Sequence, residues 1–352
     1  MSSRVAGPLS FLVVLALLAG CQSAPATGPT ASPPGTLASV RPTPPPPSGS
    51  YPAPATALPE IARIKLTDPP LELRVRDGAL WVGAMRHLYR IDTATNTVAQ
   101  EIEIGEYAQG YTFEIAFGSA WVSEFTVGDI LRYDLATGKQ VAAIPIAGAP
   151  QMMVAAADRL WVAAHHNGEL AAVDPISNAT RDIATVGQGG EGGPQGVVAT
   201  NSTVWTAVPN MNEVVAVDTS TAKATQHVKV TGFASCPISI VGTQVWAPAC
   251  ADEGNHSIAV IDTVAAKLLG SVTPGNLPLA VVDIDGLPWI PIATTFPTED
   301  GLGVLVAVDP KTLEMVRSVI MPAQGNVASA FDSLWIADTY DHALLRVAMP
   351  GS

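Results

Sequence analysis

Apolar and polar positions change over in short bursts along this chain, and no 3.6-residue period persists over ten residues. From about residue 60 the bursts recur in register. Tryptophan marks the register at Trp81, Trp121, Trp161, Trp205, Trp246, Trp289 and Trp335, with spacings of 40, 40, 44, 41, 43 and 46 residues. The ten residues before each tryptophan align without a gap. The position eight before it is Leu73, Phe113, Met153, Val197, Ile238, Val281 and Val327, apolar in every unit. After tryptophan come an apolar stretch, a polar turn, a second apolar run and an aspartate: Asp92, Asp134, Asp174, Asp218, Asp262 and Asp309. Five of these six have Thr or Ser three residues on, side chains that bond nearby amides in tight turns. A last run rich in β-branched residues follows, as at residues 98–104 and 141–146.

Each unit therefore reads as four short strands, A to D, with tryptophan on strand B. Four-stranded units recurring every 40–46 residues are the signature of a β-propeller. The expected fold is all-β, a seven-bladed β-propeller with four antiparallel strands per blade. The seventh unit stops before a strand D, and the first is preceded by an unpaired strand-like run, residues 60–66. That run can close the ring as the last blade's outer strand, removing two open edges at once. The pattern resembles the YVTN, NHL and streptogramin-lyase-like superfamily of seven-bladed propellers, over residues 60–352, about five-sixths of the chain. The resemblance implies the fold, which hosts many activities. A lyase-like site would place acid and histidine side chains at the starts of the inner strands, with a glutamate shortly after tryptophan. Glu124, in Trp121-Val-Ser-Glu124, matches the second feature, but no inner-strand start supplies a histidine.

The N-terminus has a different grammar. Arg4 precedes an apolar run at residues 11–18, less than half the ~20 residues a membrane span needs. Leu18-Ala19-Gly20-Cys21 follows, and it resembles the lipobox of bacterial lipoproteins, which implies acylation of Cys21. Beyond it the chain is mostly Pro, Ala, Ser, Thr and Gly, with an unbroken run at Pro44–Pro47. Such composition forms an extended, semi-rigid tether rather than a core. The expected organisation is a lipoprotein signal peptide at 1–20, a lipid-anchored Pro-rich linker at 21–59 and the propeller at 60–352. The propeller would then be exported and held by lipid at the cell membrane or outer membrane, facing the periplasm or the exterior. Export makes Cys236 and Cys250, roughly opposite each other on strands A and B of blade five, candidates for a disulfide. A net charge of −13 excludes the basic stripe that nucleic acid requires. The ring is expected to stand as a monomer.

Candidate chemistry gathers in one set of loops. Five of the six histidines, His87, His165, His166, His256 and His342, fall after tryptophan in or beside B–C loops. B–C and D–A loops share one face of a propeller. Glu124 and Asp338 hold the same position, three after tryptophan, in blades two and seven, and His165 holds the next position in blade three. With His166, Tyr111 and Tyr340 they form the candidate ligand-binding set. No cofactor is required by the sequence, and the acid–histidine set is competent to hold a divalent ion such as zinc or manganese. Gly187-Gln-Gly189-Gly-Glu-Gly192 matches a dinucleotide-binding pattern but leads into a strand, so it reads as a flexible interblade loop. Asp283-Ile-Asp285-Gly286 reads as a hairpin turn rather than a calcium loop. No nucleophile–base pair is legible. The preferred reading is a non-catalytic module that binds a small molecule or a protein; a metal-dependent lyase or lactonase is the alternative.

Overall fold

A computed structural model describes residues 51–351, apart from 55, 106–111, 201, 231–236, 250–255 and 294–300. The expected signal peptide, Cys21, Tyr111, Cys236 and Cys250 lie outside the described residues. The rest forms seven antiparallel blades. Blade one is Pro70–Arg76, Ala79–Ala84, His87–Asp92 and Thr97–Glu103, and its order recurs around the ring. Blade six departs in detail, its inner strand being broken into Leu277–Pro278 and Val282–Ile284.

The tryptophan register is the packing register. All seven indoles are buried, the most exposed being Trp81 at 3%. Each sits in a cluster that joins its own blade to the next. Trp81 packs with Phe113, Val122 and Tyr133 of blade two, and Trp161 with Val204 and Val215 of blade four. Trp335 packs with Leu73, Val82 and Tyr89 of blade one, so the seventh interface closes the ring. Covering an aromatic side chain of 150–250 Å² contributes about 4–6 kcal/mol of hydrophobic free energy, which explains why the repeat keeps this residue. Arg132 and Arg346 lie over the faces of Trp121 and Trp335, 4.6 and 5.3 Å from the ring centroids. Each also reaches the next blade's C–D turn, where Pro175 O and Thr93 O accept hydrogen bonds. Leu135 O and Pro310 O, at the same turn position, accept from Gln100 and Gln244 of the preceding blades.

The turn aspartates behave as their spacing implies. Asp134 Oδ1 accepts from the Thr137 amide and hydroxyl, and Asp218 Oδ1 from the amides and hydroxyls of Ser220 and Thr221. Those hydrogen bonds hold both carboxyls below the usual carboxylate range.

The closing strand is Glu60–Lys65, paired antiparallel with Ala343–Val347 of blade seven. An ionic knot fastens it. Arg63 bonds Glu60, Asp338 and Asp341 at 2.8, 3.3 and 2.9 Å. Upstream, residues that composition places in the spacer lie against the ring. Leu58 N donates to Ile320 O and Ile320 N to Thr56 O, so the segment runs parallel to blade six's outer strand, Met315–Met321. Tyr51 and Leu58 are buried at the two flanks of that blade. Two apolar anchors and a free strand edge suffice to hold a stretch that otherwise reads as linker.

Candidate functional site

Strand B of blade three, Arg159–Ala164, runs directly into a short 3-10 turn, His165–Asn167. Ala149 O and Gly148 O, from the preceding D–A loop, accept from the amides of His165 and His166 at 3.2 and 2.7 Å. The turn is thus fixed on one side by blade two's exit. On the other side it is covered by the glycine-rich segment at 187–193. Gly190 N donates to His166 O at 2.8 Å, and His165 Nδ1 lies 3.2 Å from Gly193 O.

These glycines serve close approach. A Cβ on Gly193 would stand 1.8 Å from His165 O, and one on Gly189 2.4 Å from His166 O. The segment is also clasped from blade four. Asn210 N donates to Gly192 O at 2.7 Å, and Asn210 Nδ2 reaches Gln188 O and Glu191 O at 3.3 Å each. The interblade loop is therefore seated between two turns, contrary to the free loop its composition suggests.

The chemistry of His165 follows from this seating. The side chain is 4% exposed. Burial, with the charge of His166, holds its imidazole below the usual histidine range, against hydrogen bonds to Pro194 and Gly193. That shift favours the uncharged ring. A carbonyl can only accept, so the proton sits on Nδ1 and the lone pair on Nε2. The two imidazoles lie 5.2 Å apart, and Phe125 stands beside both, 5.8 Å from His166 edge-on and 6.4 Å from His165. His165, His166 and Glu191 each offer a ligand atom within 4.8 Å of the others.

The remaining candidates go elsewhere. Glu124 carries the backbone into Phe125, but its Oε1 lies beside Gly105. Its carboxyl is pushed up by burial and by Asp129. Asp338 is buried in the knot around Arg63 and accepts from the Asp341 amide. Tyr340 stands half-exposed at the tip of blade seven's B–C loop. Glu191 was not singled out from the sequence. The signal that could have found it is a lone carboxylate between glycines, one interblade loop after a His-His pair.

Sequence reasoning also passed over charged pairs on the inner strands. Glu114, 1% exposed, bonds Arg76 at 2.7 Å, and Glu72 bonds Arg74 at 2.7 Å and Asn326 at 3.0 Å. On the opposite, A–B turn side, two open clefts of about 520 and 290 Å³ flank Phe331, with no histidine in their walls.

No family model matches the chain, and no curated protein matches it either. Solved structures do. Virginiamycin B lyase from Staphylococcus aureus is 15% identical, with a TM-score of 0.64 over 82% of this chain and 99% of that one. The RRP9 WD40 repeats are 10% identical, with a TM-score of 0.66 over 84% and 99%. Hydrazine synthase of Kuenenia stuttgartiensis is 11% identical, with a TM-score of 0.65 over 82% and 98%. At such identities the likeness shows the fold: this chain is a seven-bladed β-propeller with streptogramin B lyase-like and WD40 structural neighbours.

Proposed function

We propose that the chain is a lipid-anchored, extracytoplasmic β-propeller that works as a non-catalytic binding module, taking its ligand on the face of the B–C and D–A loops. The observation that carries the reading is the seating of the 187–193 segment on the His165–Asn167 turn. A loop locked from both sides, with exposed polar side chains above it, is a preformed place for a ligand. Export rests on the order of apolar run, lipobox-like Leu18-Ala-Gly-Cys21 and proline-rich spacer. Several acyl chains on Cys21 would hold the ring stably at a membrane, at about 0.8 kcal/mol per buried CH₂. Cys236 and Cys250 would then be an oxidised pair, which a peptide map without reduction reads directly.

A metal-dependent lyase or lactonase is the competing reading, favoured by the histidine–carboxylate cluster beside Phe125. Against it, none of the six histidines lies on an inner strand. Two assays test the proposal. Cys21→Ser should abolish lipid labelling and release the chain from membranes; normal processing and membrane retention would overturn the anchor. The wild-type chain should leave a panel of lactones and cyclic depsipeptides unchanged; turnover that is lost in His166→Ala would establish the enzyme instead.

A further inference from the structure

We propose that His165, His166 and Glu191 form a binding site for one divalent transition-metal ion of the zinc type. The proposal rests on the reading of this loop face as the binding face, and it names the chemistry of that site.

Three features carry it. The donor set comes first: two imidazole nitrogens and one carboxylate, their ligand atoms within 4.8 Å of one another. Zinc bonds of about 2.0–2.1 Å in tetrahedral geometry space ligand atoms about 3.4 Å apart. His166 and Glu191 are exposed and can turn to close that gap, while His165 is buried and fixed. Imidazole suits zinc, copper or nickel, whereas magnesium and calcium select all-oxygen shells.

The second feature is the outer support. A metal-binding histidine characteristically donates its other ring N–H to a backbone carbonyl, which sets the tautomer and aims the free lone pair. His165 does this through Nδ1 to Gly193 O. The third is the placement of the carboxylate. Glu191 has no strand to hold it. Its position is set by Asn210 Nδ2 on its own carbonyl and by the Asn210 amide on the next carbonyl, Gly192 O. Blade three thus supplies both nitrogens, and blade four fixes the loop that supplies the oxygen. Three protein donors leave a fourth position for water or for an anionic donor of an incoming ligand.

The test is calorimetric titration of the untagged full-length chain in detergent, after chelation, with ZnCl₂ and separately with MgCl₂. One Zn²⁺ per chain is expected, with no Mg²⁺ binding at the same concentrations. His166→Ala should weaken zinc ~100-fold or more and Glu191→Gln ~10-fold or more, in line with the 10–100-fold that even outer partners command. Both residues are exposed, so neither variant should fail to fold, and circular dichroism verifies this. No zinc binding by the wild type, or equal binding by His166→Ala, overturns the proposal. The Cys21 labelling and turnover assays have separate readouts, so a failed zinc titration leaves the anchored-module reading to stand or fall on its own.

Discussion

Gly193→Ala places a methyl group where the structure has no room. The added Cβ would lie 1.8 Å from His165 O, against the 3.0 Å within which Cβ contacts are essentially never found, so the segment must retreat by more than an ångström. Two contacts go with it. The His165 Nδ1–Gly193 O bond at 3.2 Å opens, leaving a buried ring donor unpaired at a cost of about 1–3 kcal/mol. The Gly190 N–His166 O bond at 2.8 Å is strained or lost, worth about 1 kcal/mol net. The smaller conformational freedom of alanine in the unfolded chain returns about 0.4–1 kcal/mol. The balance is a loss of about 2–3 kcal/mol, and it cannot grow much larger because the loop can peel away once those contacts fail. An unfolding entropy of about 2.1 cal/mol/K per residue over roughly 300 residues converts 1 kcal/mol to about 1.6 °C, so Tm should fall by about 3–5 °C. Gly286→Ala is the matched control. Gly286 has φ +80° and nothing within 4 Å of a Cβ, so only the left-handed backbone penalty of about 1–2 kcal/mol applies, again partly returned. Scanning calorimetry of both variants, with amide exchange at Gly190, whose N–H donates to His166 O, gives the comparison. If Gly193→Ala melts with or above Gly286→Ala and the Gly190 amide exchanges as in the wild type, the segment is not seated on the histidine turn and the reasoning fails.

Leu58→Ala removes a side chain buried at 6% exposure from the edge of blade six and should cost about 2–4 kcal/mol, whereas Ile61→Ala, at 55% exposure, should be nearly silent by chemical denaturation; equal effects would mean the upstream segment does not pack. Deleting residues 60–66 uncovers the edge of Ala343–Val347 and the knot partners Asp338 and Asp341, and should yield aggregates in size-exclusion chromatography; a monomer with unchanged melting would show the ring closing another way. The six turn aspartates have folded-state pKa values below the unfolded ones, so their stabilisation is complete above the unfolded value and drains away as pH falls through the folded values. Tm should therefore drop steeply below about pH 4, with a shallower slope in Asp134→Asn; identical slopes would remove the turn from the account.

Legibility divides along the same physical line. Whatever repeats was readable, because the tryptophan on strand B and the aspartate of the C–D turn do the same work in each blade. The closing strand was readable from an imbalance, a missing strand D at one end and a surplus strand at the other. What could not be read depends on a partner supplied by the finished ring. Tyr51 and Leu58 look like incidental residues in a spacer until the outer strand of blade six offers them an edge. Asp338 shares its position with Glu124, yet Arg63 of the closing strand takes it into an ion pair that has no counterpart at this position among the described residues. The glycines at 189 and 193 look permissive, and only the carbonyls of His165 and His166 reveal them as close contacts.

These departures from the repeat separate into two regions of the ring. Closure, knot and upstream segment load blades five, six, seven and one. The seated loop and the histidine turn load blades three and four, and Phe125 brings in blade two. In a ring of seven, blades three and four stand across from blade seven. The closing strand therefore lies on the far side of the ring from the candidate site, and the contacts that hold it share no residue with those that shape the His165 turn. Changes at Glu191 or His166 can then alter what is bound without loosening the closure, and changes at Arg63 or Leu58 should loosen the closure while leaving the site's geometry intact. A double-mutant cycle between Leu58→Ala and Gly193→Ala measures that independence. Additive losses in Tm are expected for sites without shared partners, and a coupling above about 0.5 kcal/mol would show that strain at the closure reaches the loop through the blades between them.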